Sequence, residues 1–152
     1  MSTEKLVGRF VSEYSENMDA YLKETGCGTL VRKAVANTEM TINILNQGDQ
    51  WSCFQEHTFK SPSVVFKLNE EFEQMTPERR MCKTMVTLTP EGKLVERQRK
   101  KEEYANDHTI TRYLEDEDTL VVVYECGNVS AKRVFRRQKC MCTSDSINDK
   151  YI

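Results

Sequence analysis

"HTITRYLEDEDTLVVVYECGNVSAKRVFRR", His108 to Arg137, decides the fold. Three alternating runs, "HTITRYL", "TLVVVYEC" and "VSAKRVFRR", are separated by the turn signals "EDED" and "CGN", the pattern of an antiparallel meander. Successive residues of a strand point to opposite faces. In the last run one face is Val129, Ala131, Arg133 and Phe135, and the other is Ser130, Lys132, Val134 and Arg136. In the first run, His108, Ile110, Arg112 and Leu114 face one way, and Thr109, Thr111 and Tyr113 the other. In both, the more apolar face carries an arginine. A buried guanidinium is costly unless it is paired. Arg112 and Arg133 therefore have two readings: each is paired with an internal Asp or Glu, or each awaits an anion from outside. The guanidinium fork suits a carboxylate, so the second reading is a pocket for an anionic, largely apolar ligand.

The same alternation extends upstream. "EMTINIL", "WSCFQEHTF", "SVVFKL", "EEFEQM", "RMCKTMVTL" and "GKLVERQRK" are short strand-like segments, with turn signals such as "NQGD", "KSP" and "TPEG" between them. Regular spacing of this kind predicts a meander that closes into a barrel or packs as a sandwich, and closure would remove exposed strand edges. Before Asn37 the pattern differs. Residues 6–14 read as a first strand. "SENMDAYLKETG" has helical spacing, with Ser15 as its N-cap and Gly26 as its stop. "GTLVRKAVAN" is a second short helix that Thr29 can cap. The two helices form a lid; a DNA-binding helix-turn-helix would need a basic recognition helix and a third partner helix, and neither is evident.

The chain has 152 residues, one domain's worth. A net charge of −2 points to no nucleic-acid partner, and no apolar run is long enough to span a bilayer. "MSTEKLVGRF" lacks a signal-peptide core, so a cytoplasmic protein is expected. Its six cysteines are then expected as thiols. No catalytic motif occurs: there is no G-x-S-x-G, P-loop or H-E-x-x-H, and neither His57 nor His108 sits in a recognised pattern. No enzyme activity, metal or cofactor is expected. Cys140 and Cys142, in the polar tail "QKCMCTSDSINDKYI", have no neighbouring histidine to complete a metal site. The organisation is read as a domain over 1–138 and a polar, disordered extension over 139–152.

From about Leu6 to Arg137 the chain also resembles the intracellular lipid-binding proteins, close to the cytosolic fatty-acid-binding proteins. "LVGRFVSEYSENMDAYLKETG" resembles the family's opening signature, "HTFKSPSVVFKLNEEFEQMTPERR" is the most specific match, and "TITRYL" and "AKRVF" resemble its last arginine-bearing strands. The resemblance implies an all-β fold: a flattened, ten-stranded, up-and-down antiparallel β-barrel of the calycin/lipocalin kind, capped by a short helix-turn-helix. It implies a monomeric carrier that holds a long-chain fatty acid or related lipid non-covalently, exchanges it through the helical portal, and touches anionic membrane surfaces with its lid. A retinoic-acid carrier and a lipid-regulated adaptor are the alternative functions.

Residue by residue, Arg112 and Arg133 fall on the family's carboxylate-binding arginines. Phe135 falls on its tyrosine and departs from it, removing a hydroxyl donor worth about 1.5–3 kcal/mol at most. Met18 stands at an aromatic of the opening signature, and Phe10 replaces the usual tryptophan, leaving Trp51 as the single Trp. Met18, Tyr21, Val35, Met40 and Phe59 are implied along the cavity and portal, with Glu78 and Arg80 at the pocket mouth. Lys23, Arg32 and Lys33 match basic positions that serve nuclear import in some relatives, so a nuclear pool is implied beside the cytoplasmic one.

Overall fold

The computed structural model describes residues 3–56, 63–75, 81–100 and 107–139. A 3-10 turn, Thr3–Leu6, leads into β1 (Gly8–Glu16). Two helices follow, α1 (Met18–Glu24) and α2 (Thr29–Asn37). Then come β2 (Thr41–Gln47), β3 (Gln50–Glu56), β4 (Ser63–Lys67) and β5 (Phe72–Met75). β6 (Met81–Leu88), β7 (Leu94–Lys100), β8 (His108–Asp116), β9 (Thr119–Cys126) and β10 (Val129–Arg137) complete the chain. The expected ten-stranded antiparallel barrel and helical cap are present.

The strands order as β4-β3-β2-β1-β10-β9-β8-β7-β6-β5. Each strand pairs with its sequence neighbour, except that β1 also joins β10. β4 and β5 end the order, so the backbone ladder stays open between them. Side chains bridge this seam: the Phe66 and Phe72 rings stack at 6.3 Å between centroids. The Asn69 amide donates to the Val86 carbonyl at 2.8 Å. Two very short strands, of five and four residues, thus carry the exposed edges, a common protection against edge-to-edge pairing.

The meander at His108–Arg137 forms as its alternation predicts. β9 and β10 span Thr119–Cys126 and Val129–Arg137. Their two-residue turn begins with Gly127 at φ 60°, where a tight hairpin needs glycine. The lid begins differently from expectation. Ser15 does not cap α1; it lies in β1 opposite Arg133. Pairing with β10 carries β1 on to Glu16, and Asn17, at φ 61°, turns the chain into the helix. Asn17 Nδ2 donates to the Ser130 carbonyl at 2.9 Å. Here the long-range ladder overrides the local capping signal. Gly28, not Thr29, occupies the N-cap of α2.

At the opposite end, Arg137 ties the chain's first and last elements together. Its guanidinium donates to the carbonyls of Lys5, Val7 and Glu117 and lies 4.7 Å from the Phe10 ring centre. Gly8, at φ +152°, leaves room for it: a Cβ there would stand 2.5 Å from Arg137 Nη1. The core runs through the barrel and up into the lid, joining Phe10, Ile42, Ile44, Trp51, Leu120 and Phe135 to Met18, Tyr21 and Leu22 of α1. Cys27, Cys53, Cys82 and Cys126 are buried thiols.

Candidate functional site

The inner faces of β8, β9 and β10 present the two arginines side by side. Arg112 pairs across the ladder with Val122, and Val122 with Arg133. One strand separates them, which spaces their backbones by roughly 9–10 Å. Both are buried, at 8% and 2% exposure. Their surroundings differ.

Arg112 has an internal partner. Its Nη1 donates to Glu96 Oε1 at 2.9 Å, and both side chains are buried. The other Glu96 oxygen accepts from Gln74 Nε2 at 3.0 Å and from Gln98 Nε2. Gln74 Nε2 also reaches Thr84 Oγ1 at 2.8 Å. Three strands, β5, β7 and β8, thereby converge on one carboxylate, and Thr84 of β6 holds the Gln74 amide in place. Burial pushes the Glu96 carboxyl up, but the Arg112 charge and the bonds from Gln98, Arg112 and Gln74 outweigh it and hold the group below its ordinary value. Burial likewise disfavours the Arg112 charge, and Glu96 more than restores it. Of the two readings of Arg112, the geometry shows the internal acid.

Arg133 has no such acid. Its Nη2 donates to the Val35 carbonyl of α2 at 2.6 Å. Its Nε, like that of Arg112, is buried without a hydrogen-bond partner, and no carboxylate among the described residues pairs with it. Tyr124 stands on β9 opposite Ala131 and Ile110, close enough to both arginines to feel their charge. Burial raises the Tyr124 hydroxyl above its usual range, against the pull of Arg133 and then Arg112. Burial also raises the Cys53 thiol across the interior, opposed by Arg112 and reinforced by Glu96. Both groups are therefore neutral at physiological pH, and the ionised groups described in this interior are Arg112, Arg133 and Glu96.

Above this face sits the lid. The Tyr21 ring of α1 lies 5.3 Å from Tyr124 and 5.8 Å from His108, centre to centre. The Tyr21 hydroxyl is 3.2 Å from His108 Nδ1. Met18 and Met40 are buried in the same core, and Val35 packs half-buried against it. Phe135 is fully enclosed. Arg32 Nε donates to Asp19 Oδ1 at 3.1 Å and so ties α2 to α1. Phe59, Glu78, Arg80, His57, Cys140 and Cys142 lie outside the described residues. Among the described residues no group of His, Cys, Asp and Glu could hold a metal ion, and no helix is long and apolar enough to cross a membrane. A recess of ≈ 310 Å³ near the seam is lined by Asn46, Trp51, Lys67 and Glu70 among others, and by neither arginine.

Sequence reasoning missed Glu96, Gln98, Gln74 and Tyr124. The signal was available. In "LVERQRK" the positions alternating with the exposed Arg97 and Arg99 are Leu94, Glu96 and Gln98. They face inward because Leu94 pairs with Arg112 and Glu96 with Ile110. A polar face next to a basic one reads as two solvent faces until the neighbouring strand is known.

A ten-stranded barrel with a helical lid and a charged, buried interior is the architecture of proteins that enclose a small molecule. Residues 7–144 match the model of the lipocalin / cytosolic fatty-acid binding protein family, and the chain belongs to that family. It is 38% identical to fatty acid-binding protein homolog 6 of Caenorhabditis elegans, over 90% of this chain and 99% of the relative. The crystal structure of apo lipid binding protein 8 of C. elegans superposes with a TM-score of 0.86 at 36% identity, covering 91% of this chain and 99% of that one. A Schistosoma mansoni fatty acid binding protein in complex with arachidonic acid superposes with a TM-score of 0.84 at 29% identity, covering 91% and 100%.

Proposed function

We propose that the protein is an intracellular carrier, not an enzyme. It binds one long-chain fatty acid, or a similar hydrophobic carboxylate, non-covalently inside the barrel. The observation that supports this most is Arg133: a guanidinium at 2% exposure with which no described carboxylate pairs. A buried cation in that state is stabilised by an anion that arrives with the ligand. Apolar residues of the barrel and lid, Met18, Met40 and Ile42 among them, would receive the acyl chain. Its burial contributes about 0.8 kcal/mol per CH₂, less the cost of ordering the ligand. The relatives' names and the arachidonic acid in the Schistosoma protein agree with this class of ligand.

Exchange proceeds through the helical lid. Leu30 of α2 is 85% exposed and Val31 is exposed beside it. With Arg32 and Lys33 they give the lid an apolar tip and a basic flank, which suits transient contact with an anionic membrane. The carrier acts as a monomer in the cytoplasm, with a nuclear pool.

Calorimetric titration of delipidated protein with oleate, with retinol as the neutral comparison, tests this reading. Saturable one-to-one oleate binding and no retinol binding is the expected outcome. Folded, lipid-free protein that binds neither overturns it.

A further inference from the structure

Among the described residues Arg112, Arg133 and Glu96 meet in the interior, and the anion is not shared equally. Glu96 bonds Arg112 directly, while Arg133 makes no ion pair among the described residues. Glu96 is also held on both oxygens, which accept from Arg112, Gln74 and Gln98. A ligand carboxylate drawn to Arg112 would have to approach an ionised, fixed carboxylate of its own sign. At Arg133 it meets a charge that no described carboxylate offsets, beneath the last turn of α2. The Nε of both arginines is buried without a hydrogen-bond partner, so it is the acid and not the open N–H that separates them.

We propose that Glu96 is a specificity-determining residue: it withdraws Arg112 from ligand binding and leaves Arg133 as the single anchor. The barrel then takes a ligand with one carboxylate, seated at the lid end of β10. This rests on the carrier reading given above. The net charge of one, rather than two, on Arg112, Arg133 and Glu96 together makes this group selective for monoanionic ligands, and the Arg112–Glu96 pair is a neutral polar wall beside the anchor.

Oleate titrations of four proteins test the assignment, each first shown to be folded by its circular dichroism and thermal melt. Arg133→Gln should weaken oleate binding by about tenfold or more. Adding Glu96→Gln to that variant frees the Arg112 charge and should restore at least half of the lost binding free energy. An equally weak double variant overturns the proposal. Glu96→Gln with Arg112→Met removes both partners and leaves no lone buried charge. It should bind oleate within about threefold of the unaltered protein; a larger loss would place Arg112 at the carboxylate and overturn the proposal. The same holds if Arg133→Gln binds as well as the unaltered protein. Absence of oleate binding by the unaltered protein would remove the carrier reading, and this assignment with it.

Discussion

Arg112 and Arg133 share a sheet face, a residue type and near-complete burial, yet they are held in opposite ways. Around Arg112, two strands, β5 and β7, supply a carboxylate and two amides, and the charge is neutralised within the protein. Around Arg133, one carbonyl from the lid supplies the single described bond. The first arrangement is a structural ion pair; its removal is a folding problem. The second lacks an internal acid; under the proposed function its removal is a binding problem. Burial alone does not separate the two cases, and the partner does.

The strongest way to break the comparison is Arg112→Met. It leaves the Glu96 carboxylate buried without its cation, and the expected loss is about 3–5 kcal/mol of unfolding free energy in urea titrations. Pairing it with Glu96→Gln should recover most of that loss, because removing both charges also removes the desolvation penalty. If Arg112→Met unfolds like the parent protein, the pair is not structural. Next comes Arg133→Gln, whose urea midpoint should move little, by about 1 kcal/mol or less. A fall as large as that of Arg112→Met would erase the distinction.

Acid sharpens the comparison further. The Glu96 carboxyl is held below its ordinary value in the folded protein. Its contribution to stability is therefore complete above the unfolded value, near 4.5, and is lost as pH falls through the folded one. For this single proton the slope is at most about 1.4 kcal/mol per pH unit. Glu96→Gln combined with Arg112→Met should flatten stability against pH below that point, and Arg133→Gln should leave the slope in place. The smallest effect is expected from Phe135→Tyr, which returns a hydroxyl beside Arg133. Oleate binding should tighten, by about tenfold for a hydrogen bond at the weak end of the charge-assisted range, in the same calorimetric titration. Weaker binding would mean that the fully enclosed site of Phe135 has no room for the oxygen.

Much of this was legible in strand alternation. The runs at Thr119–Cys126 and Val129–Arg137 were readable to the residue, because tight turns and a one-sided apolar face fix their register. The two inward arginines followed from the same rule. The partner of Arg112 did not, because Glu96 reaches it from a neighbouring strand, and only the β7–β8 register brings Leu94 opposite Arg112. The start of α1 was misread for a related reason: Ser15 has the right chemistry for a cap, but β10 claims its backbone. Closure was half legible. Alternation predicts a barrel, but not that the ladder stays open between β4 and β5 and that two phenylalanine rings span the opening.

The pairing of β1 with β10 has a consequence for how the protein is made. The first strand to leave the ribosome finds its second partner only when the last strand has been synthesised. Until then β1 offers a bare edge, and the nascent sheet is two halves, β1–β4 and β5–β9, with no backbone ladder between them. β10 joins them along the ladder from Phe10–Arg137 to Glu16–Lys132, and Arg137 then fastens to the Lys5 and Val7 carbonyls at the very start of the chain. Such late, long-range closure makes for slow folding. A ribosome stalled before β10 would release a sheet split at its centre, exposing two edges to chaperones or to aggregation.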